Sequence, residues 1–292
     1  MYDWLIATPA WGERCVWLFV EKTLPAIRAA AARCSGTVRF MVHTDNPNRI
    51  KEELGSLPPH RVIPIPKGDD SPHVKLGRAH QAALSDARHG ECVAFVNADM
   101  VPSIEAFEAA ERRFAEGKRL IMMAATRTSE ADPPAGARSR DLLHWTMQHR
   151  HAIISQCFWG VDRGTTVPWA IYFQRGDDIV LHGFHLHPFA VMKDRDIAFQ
   201  RKTIDADLPD QFTREETHLV TDADEAAFAE ISEPWRTFKL LDGPITVESA
   251  AAWAKNAATP VHRWFFEQRI AICGKGEDIG DGRVCDRIIG LM

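Results

Sequence analysis

Three short constellations in this 292-residue chain carry residue types that do chemistry. The first is Asn97-Ala98-Asp99, at the end of the uninterrupted apolar run Cys92-Val-Ala-Phe-Val96. Such a run reads as a strand covered on both faces, and a carboxylate just past its end stands at a sheet edge, where α/β proteins keep their ligands. Asp99 there can hold a cation or a hydroxyl. The second is His185-Leu186-His187, two imidazoles two apart, which project to one side if the segment is extended. The third is Asp205-Ala206-Asp207, preceded by Lys202 and Thr203, which repeats that geometry with carboxylates. Histidines and aspartates that converge would make a site for one cation or one polar ligand.

These groups need elements to position them. Trp4 to Thr8 reads as a strand running into the turn Pro9-Ala-Trp11-Gly12, which opens an amphipathic segment reaching about Cys34. Val38 to His43 is a second strand ending at Thr44-Asp45-Asn46-Pro47, with Asp45 or Asn48 as cap of a short helix from Arg49 to Leu54. Arg61 to Ile65 is a third strand, placed at an edge by its proline. Between His73 and His89 the residues Leu76, Ala79, Ala83, Leu84 and Ala87 share a helix face, and Lys75 and Arg78 share another side. Past Asp99, Ser103 is the expected cap of a helix whose stripe is Ala106, Phe107, Ala110 and Phe114, and Leu120 to Ala125 follows as a strand. This alternation predicts an α/β fold with a doubly wound, mostly parallel sheet.

Residues 129 to 141 are rich in breakers and charge and form a long loop, either a lid or a plain solvent loop. A helical stretch from Leu142 to Ile154 comes next. Ala170 to Phe173 and Ile179 to His182, on either side of Gly176-Asp177-Asp178, predict a hairpin that makes the sheet mixed. From Thr221 the pattern reads as mostly helical, with Ala226, Ala227, Phe228 and Ile231, then Val247 to Ala258. Trp264-Phe265-Phe266 is expected to pack on the sheet or on a second subunit as a homodimer contact. The expected division is a catalytic domain over 1–220 and a helical extension over 221–292.

Composition bounds the rest. The chain is 45% apolar and 26% charged with net charge −5, which describes a globular protein and argues against nucleic acid as a partner. Six cysteines are scattered without a C-x-x-C pair, so they are expected to be reduced and buried. The first residues lack a signal-peptide pattern and no stretch is long enough for a membrane span, which predicts a cytoplasmic location.

The ordered set Thr8-Pro9-Ala-Trp11-Gly12, Asp45, the helix with Lys75 and Arg78, and Asn97-Ala98-Asp99 resembles the GT-A type, family 2-like nucleotide-sugar glycosyltransferases, over roughly residues 3 to 205. The resemblance implies a GT-A-like fold and transfer of a sugar from a nucleotide-sugar donor to a hydroxyl acceptor, in making a glycan or surface polysaccharide. It implies that Thr8, Pro9 and Trp11 border the nucleotide, that Asp45 faces the base or ribose, and that Arg78 lies near the base or diphosphate. It further implies that Asp99 ligates Mn²⁺ or Mg²⁺, with His185 or His187 completing the shell. Asn97 departs from the family's Asp-x-Asp pattern: it can accept a hydrogen bond from a ribose hydroxyl but brings no charge to a cation, so the metal is weakly held or absent. Inversion at the anomeric carbon needs a general base, for which Asp207 is preferred, with Asp205 and Asp178 as alternatives.

Two other classes compete. His185 and His187 with Asp99 or Asp207 would suit a metal-dependent hydrolase or oxygenase with a two-histidine, one-carboxylate site. A noncatalytic assembly protein on the same fold would explain the missing first aspartate.

Overall fold

The structure, a computed structural model, describes residues 1–55, 60–65, 71–129, 132–198 and 204–292. Of the residues named above, Glu130 and Ala131 of the long loop, and Lys202 and Thr203, lie outside the described residues.

The chain begins with β1 (Trp4–Ala10), α1 (Glu13–Leu18), a π-helical segment (Phe19–Thr23) and α2 (Leu24–Ala31). It continues through β2 (Val38–Thr44), α3 (Pro47–Leu54), β3 (His60–Pro64), α4 (Pro72–Asp86) and β4 (Cys92–Phe95). Then come β5 (Met100–Pro102), α5 (Ala106–Ala115), β6 (Leu120–Met123), β7 (Ala125–Thr128), α6 (Ser139–Gln148) and α7 (Ala152–Ser155). The later part holds β8 (Ala170–Arg175), β9 (Asp178–Gly183), β10 (His187–Met192), α8 (Ile204–Asp207), β11 (Thr217–Leu219) and β12 (Phe228–Ile231). It closes with α9 (Val247–Ala257), α10 (Pro260–Glu267), β13 (Ile270–Cys273) and α11 (Asp281–Leu291).

Among the described residues the main sheet has seven strands in the order β11-β6-β10-β4-β1-β2-β3. All neighbours are parallel except β10, which runs antiparallel to β4 and β6. The expected α/β architecture, a mostly parallel, mixed sheet between helices, is what the chain builds. Every residue of β1 and β4 is buried, as a strand covered on both faces requires. Leu5, Ala7, Met41, Val93 and Phe95 pack toward α4 and α6. Trp4, Ile6, Phe40, Ala94 and Phe189 pack on the other face with α2 and α5. There the Trp4 and Phe107 rings meet edge on at 5.0 Å, and each such buried aromatic contributes about 1.5–3 kcal/mol.

Several local expectations change. Asn46, not Asp45 or Asn48, caps α3 by accepting from Arg49 N, and Pro47 starts the helix. Ser103 does not cap α5; its hydroxyl accepts from Ala227 N at 3.1 Å and from Ser139 Oγ at 3.0 Å. The hairpin at Gly176 is present, with Arg175 paired to Asp178 and Gly176 at φ 59, but β8 and β9 pair with β13 in a separate three-stranded sheet. The mixed character of the main sheet comes instead from β10.

The stretch 221–292 is helical only in part. Its β12 inserts between β5 and β7 to form a second three-stranded sheet, and its β13 pairs with β9. The aromatic cluster packs inward: Phe265 and Phe266 are fully buried, and Phe266 stacks on Phe184 at 3.9 Å between ring centroids. Among the described residues no helix is long and apolar enough to cross a membrane.

Candidate functional site

Strand β1 pairs with β2 on one side and β4 on the other, so the chain leaves β1 in one direction and returns across it in the other. The carboxyl ends of two strands from which the chain diverges in this way are the usual place of a ligand crevice in an open α/β sheet. Thr8, Pro9, Ala10 and Trp11 form one lip and Asn97 to Asp99 the other.

Each lip is pinned. Beyond β1 the chain turns at Gly12, whose φ of 76 a side chain would strain, and Gly12 N donates to both carboxylate oxygens of Asp45 at 3.1 and 3.0 Å. Asp45 is exposed and Trp11 half-buried. The other lip is a tight turn closed by Met100 N on the Asn97 carbonyl at 3.0 Å. Thr23 of the π-helical segment donates its hydroxyl to the Ala98 carbonyl at 2.7 Å, and Ile231 N of β12 donates to the Asp99 carbonyl at 2.8 Å.

The Asp99 carboxyl is pushed up to about 7, first by burial and then by the charge of Glu230, while Arg127 and Arg14 pull it down. Glu230 sits on β12 opposite Met100 and Arg127. Arg127 Nη2 meets Glu230 Oε1 at 3.0 Å, and its guanidinium lies 5.6 Å from the Trp169 ring centroid. Arg14 bridges from α1, with Nη1 at 3.3 Å from Glu233 Oε1 and Nη2 donating to the Ile231 carbonyl at 3.3 Å. The Cys15 thiol is pushed up to about 11 by burial and by Asp99, so it stays protonated at neutral pH and is a poor nucleophile.

Histidines surround the floor. His187 Nε2 donates to the Phe95 carbonyl at 2.7 Å, and burial holds its pKa below the ordinary value. His80 of α4 is pushed down to about 3 by burial and His187, and His43 of β2 to about 4 by burial and Arg61. These rings are neutral at pH 7. Buried polar atoms gather at this edge: among the described residues Thr8 Oγ1, His43 Nδ1 and Arg127 Nη1 have no hydrogen-bond partner, while the His80 ring and the Asn97 side chain interact with each other. Unpaired buried polar groups are costly, and a ligand that pairs them would recover that cost.

The expected metal set does not assemble. His185 lies in the bend before β10, not on an extended strand, so its ring turns away from His187. It stacks on His262 at 4.5 Å, with Nε2 at 3.2 Å from the Ala257 carbonyl. Among the described residues no three His, Cys, Asp or Glu side chains form a group able to hold a metal ion. Asn97 is neutral, and the charges that lower the Asp99 carboxyl are those of Arg127 and Arg14. These residues do not fit a cation shell built from protein ligands, and the hydrolase or oxygenase reading loses its paired histidines.

Asp205 is half-buried on α8 and lies in the field of His187, while its carbonyl pairs with His262 Nε2 at 3.0 Å. Asp207 is buried on the same turn. Asp178 serves the fold by accepting from Lys275 N at 2.8 Å. Arg78 is exposed and Lys75 half-exposed on α4.

Glu230, Arg127 and Arg14 escape the sequence reading. Glu230 lies in Ala226 to Ile231, whose apolar spacing fits a helix, whereas residues 228–231 form a buried strand. A charged residue within that strand is the available signal, since carboxylates are rarely buried unless paired.

No protein-family model and no curated protein matches this sequence. Among solved structures the chain is similar to TarS residues 1–349 of S. aureus in complex with UDP-GlcNAc, at 14% identity and TM-score 0.43, covering 91% of this chain and 71% of that one. It is similar to the same TarS fragment in a second crystal structure at 15% identity and TM-score 0.42, covering 91% of this chain and 70% of that one. A likeness this distant bears on neither substrate nor mechanism.

Proposed function

We propose that the protein is a glycosyltransferase that moves a sugar from a nucleotide-sugar donor to a hydroxyl acceptor. The observation that carries this reading is the juncture of strand ends at the β1/β4 switch point, where β1 leads into Thr8 to Gly12 and β4 delivers Asn97 and Asp99 beside Glu230, Arg127 and Arg14. The nucleotide lies across the strand ends, with Trp11 and Asp45 bordering the base and ribose, Asn97 accepting from a ribose hydroxyl, and Arg78 approaching from α4.

Transfer forms a bond from the acceptor oxygen to the anomeric carbon and breaks the bond from that carbon to the diphosphate, which leaves with the electron pair. Negative charge grows on the diphosphate, and the fixed guanidinium of Arg127 stabilises it. The acceptor proton passes to a carboxylate. Glu230, held by Arg127 at 3.0 Å and in the field of Asp99, takes this role because of that position beside Asp99, in place of Asp207 on α8; Asp205, half-buried near His187, is the alternative base.

Thermal unfolding against UDP, GDP, CMP and dTDP, each with Mn²⁺ and with EDTA, tests the donor site. A nucleotide at a hundred times its dissociation constant adds about 2.7 kcal/mol of stability. One nucleotide is expected to raise the Tm, and the shift is expected to survive EDTA. No shift with any of the four would remove the donor site.

A further inference from the structure

The two exposed tryptophans among the described residues, Trp17 at 38% and Trp235 at 75%, each lie within three positions of a member of one ion pair. Trp17 follows Arg14 by three positions on α1, and positions three apart share a helix face. Trp235 follows Glu233 by two, and Arg14 Nη1 meets Glu233 Oε1 at 3.3 Å. The same arginine donates to the Ile231 carbonyl, and Ile231 N supports the Asp99 carbonyl, so this strip begins where the crevice ends.

Neither indole hangs on a loose segment. The Glu233 carbonyl accepts from His151 Nε2 at 2.8 Å and from Arg236 N at 3.0 Å. Farther along, the Lys239 carbonyl accepts from the Thr166 backbone N and hydroxyl, both at 2.9 Å. Lys22 Nζ lies 5.7 Å from the Trp17 ring centroid and pairs with Asp132 at 2.6 Å.

A fixed aromatic face left in water marks a contact surface. Here each indole adjoins in sequence one member of a paired guanidinium and carboxylate, so an occupant that meets all four must present apolar patches interrupted by hydrogen-bonding groups. A lipid surface or an apolar protein interface presents continuous apolar area instead. A chain of sugar rings fits: each ring offers C–H bonds on one face and hydroxyls around its rim, and Glu233 and Arg14 supply an acceptor and donors for those hydroxyls.

We propose that Trp17, the Arg14–Glu233 pair and Trp235 form the acceptor platform, and that the acceptor is a carbohydrate chain laid along it toward Asp99 and Glu230. This rests on the transferase reading for its chemistry, while the binding surface itself does not depend on donor recognition.

The test is an array of defined oligosaccharides probed with the purified full chain, the strongest ligand then titrated by calorimetry into wild type, Trp17→Ala, Trp235→Ala and the double variant. Each single change is expected to weaken binding about tenfold, and the double change to abolish it. The nucleotide-induced Tm shift is expected to stay unchanged in all three variants. Absence of wild-type binding to any glycan on the array, or binding that ignores both tryptophans, would overturn the platform. So would wild-type adsorption to phosphatidylglycerol and phosphatidylcholine vesicles that the double variant loses, or self-association in sedimentation that the double variant loses. Tryptophan-dependent glycan binding without any nucleotide shift would retain the platform and remove the transferase reading; a nucleotide shift with tryptophan-independent glycan binding would do the reverse.

Discussion

The two ends of the main sheet handle charge in opposite ways. At the amino ends of the strands, Arg39 of β2 makes a bidentate pair with Glu91 at 2.6 and 2.7 Å and reaches Asp86 at 2.6 Å, and Arg61 of β3 closes on the other Asp86 oxygen at 2.6 Å. The Asp86 carboxyl is held below its ordinary range by Arg39. At the carboxyl ends the Asp99 carboxyl is raised, and buried atoms of Thr8, His43 and Arg127 have no partner among the described residues. Both ends are ionic and largely buried, but only one is complete within the chain. A network that serves folding pairs its own groups; one that serves a ligand leaves groups for the ligand to pair.

The sharpest way to break this contrast is to exchange the consequences of mutation. Glu230→Gln is expected to lower transfer by about 10³-fold, as loss of a general base does, while the Tm and the nucleotide shift stay close to wild type, because the glutamine carbonyl can still accept from Arg127 and the repulsion on Asp99 is relieved. Arg39→Met should do the opposite. It leaves Glu91, only 4% exposed, buried without its cation, and is expected to cost about 3–5 kcal/mol in urea unfolding while the folded fraction still binds nucleotide. A Glu230→Gln protein that unfolds, or an Arg39→Met protein that keeps its stability, would erase the distinction.

Acid provides a graded test. His80 is free to protonate near its ordinary value when unfolded but only near pH 3 when folded, so the unfolded chain binds the extra proton between those limits. Its contribution is therefore full above about pH 6.5 and falls by about 1.4 kcal/mol per unit as pH drops toward 3. The raised Asp99 carboxyl acts in the other direction: the folded state takes its proton first, which adds stability as pH falls from about 7 toward 4. The difference between wild type and His80→Phe isolates the histidine. The variant is expected to gain on wild type between pH 7 and pH 5 in urea midpoints; parallel curves would show that His80 is not held neutral in the fold.

The smallest effect should come from the paired end itself. The Arg61 side chain is 64% exposed, and Arg61→Ala is expected to change stability by less than about 1 kcal/mol, since solvent screens its pair with Asp86. A larger loss would mean that the four-group network acts as a unit.

Much of this contrast is legible in the amino-acid sequence. The fully buried strands β1 and β4 declare themselves by continuous apolar runs, and the polar residues that end them fall at the crevice. The hairpin at Gly176 follows from turn chemistry. Three things stay hidden for physical reasons. Ala226 to Ile231 carries too few residues to separate a helical period from a strand, so Glu230 does not stand out as a site residue. His185 and His187 share a face only if the backbone stays extended, and the bend at 184–185 sends them apart. Asp45 and Asn46 are both competent caps, and the choice depends on Gly12 N, which comes from a turn thirty-three positions away.

Strand β12 sets the order in which a working molecule emerges. It is the middle strand of its small sheet, flanked by β5 and β7 from the first half of the chain, and it supplies both Glu230 and the Ile231 amide beneath Asp99. During synthesis the ends of β1 and β4 are made first, while β5 and β7 wait with open edges until roughly a hundred further residues have left the ribosome. Pairing over such a separation is slow and exposes those edges meanwhile. With Glu230 as the proposed base, completion of the site is thus a late event of biosynthesis, and a chain that ends before β12 lacks that carboxylate.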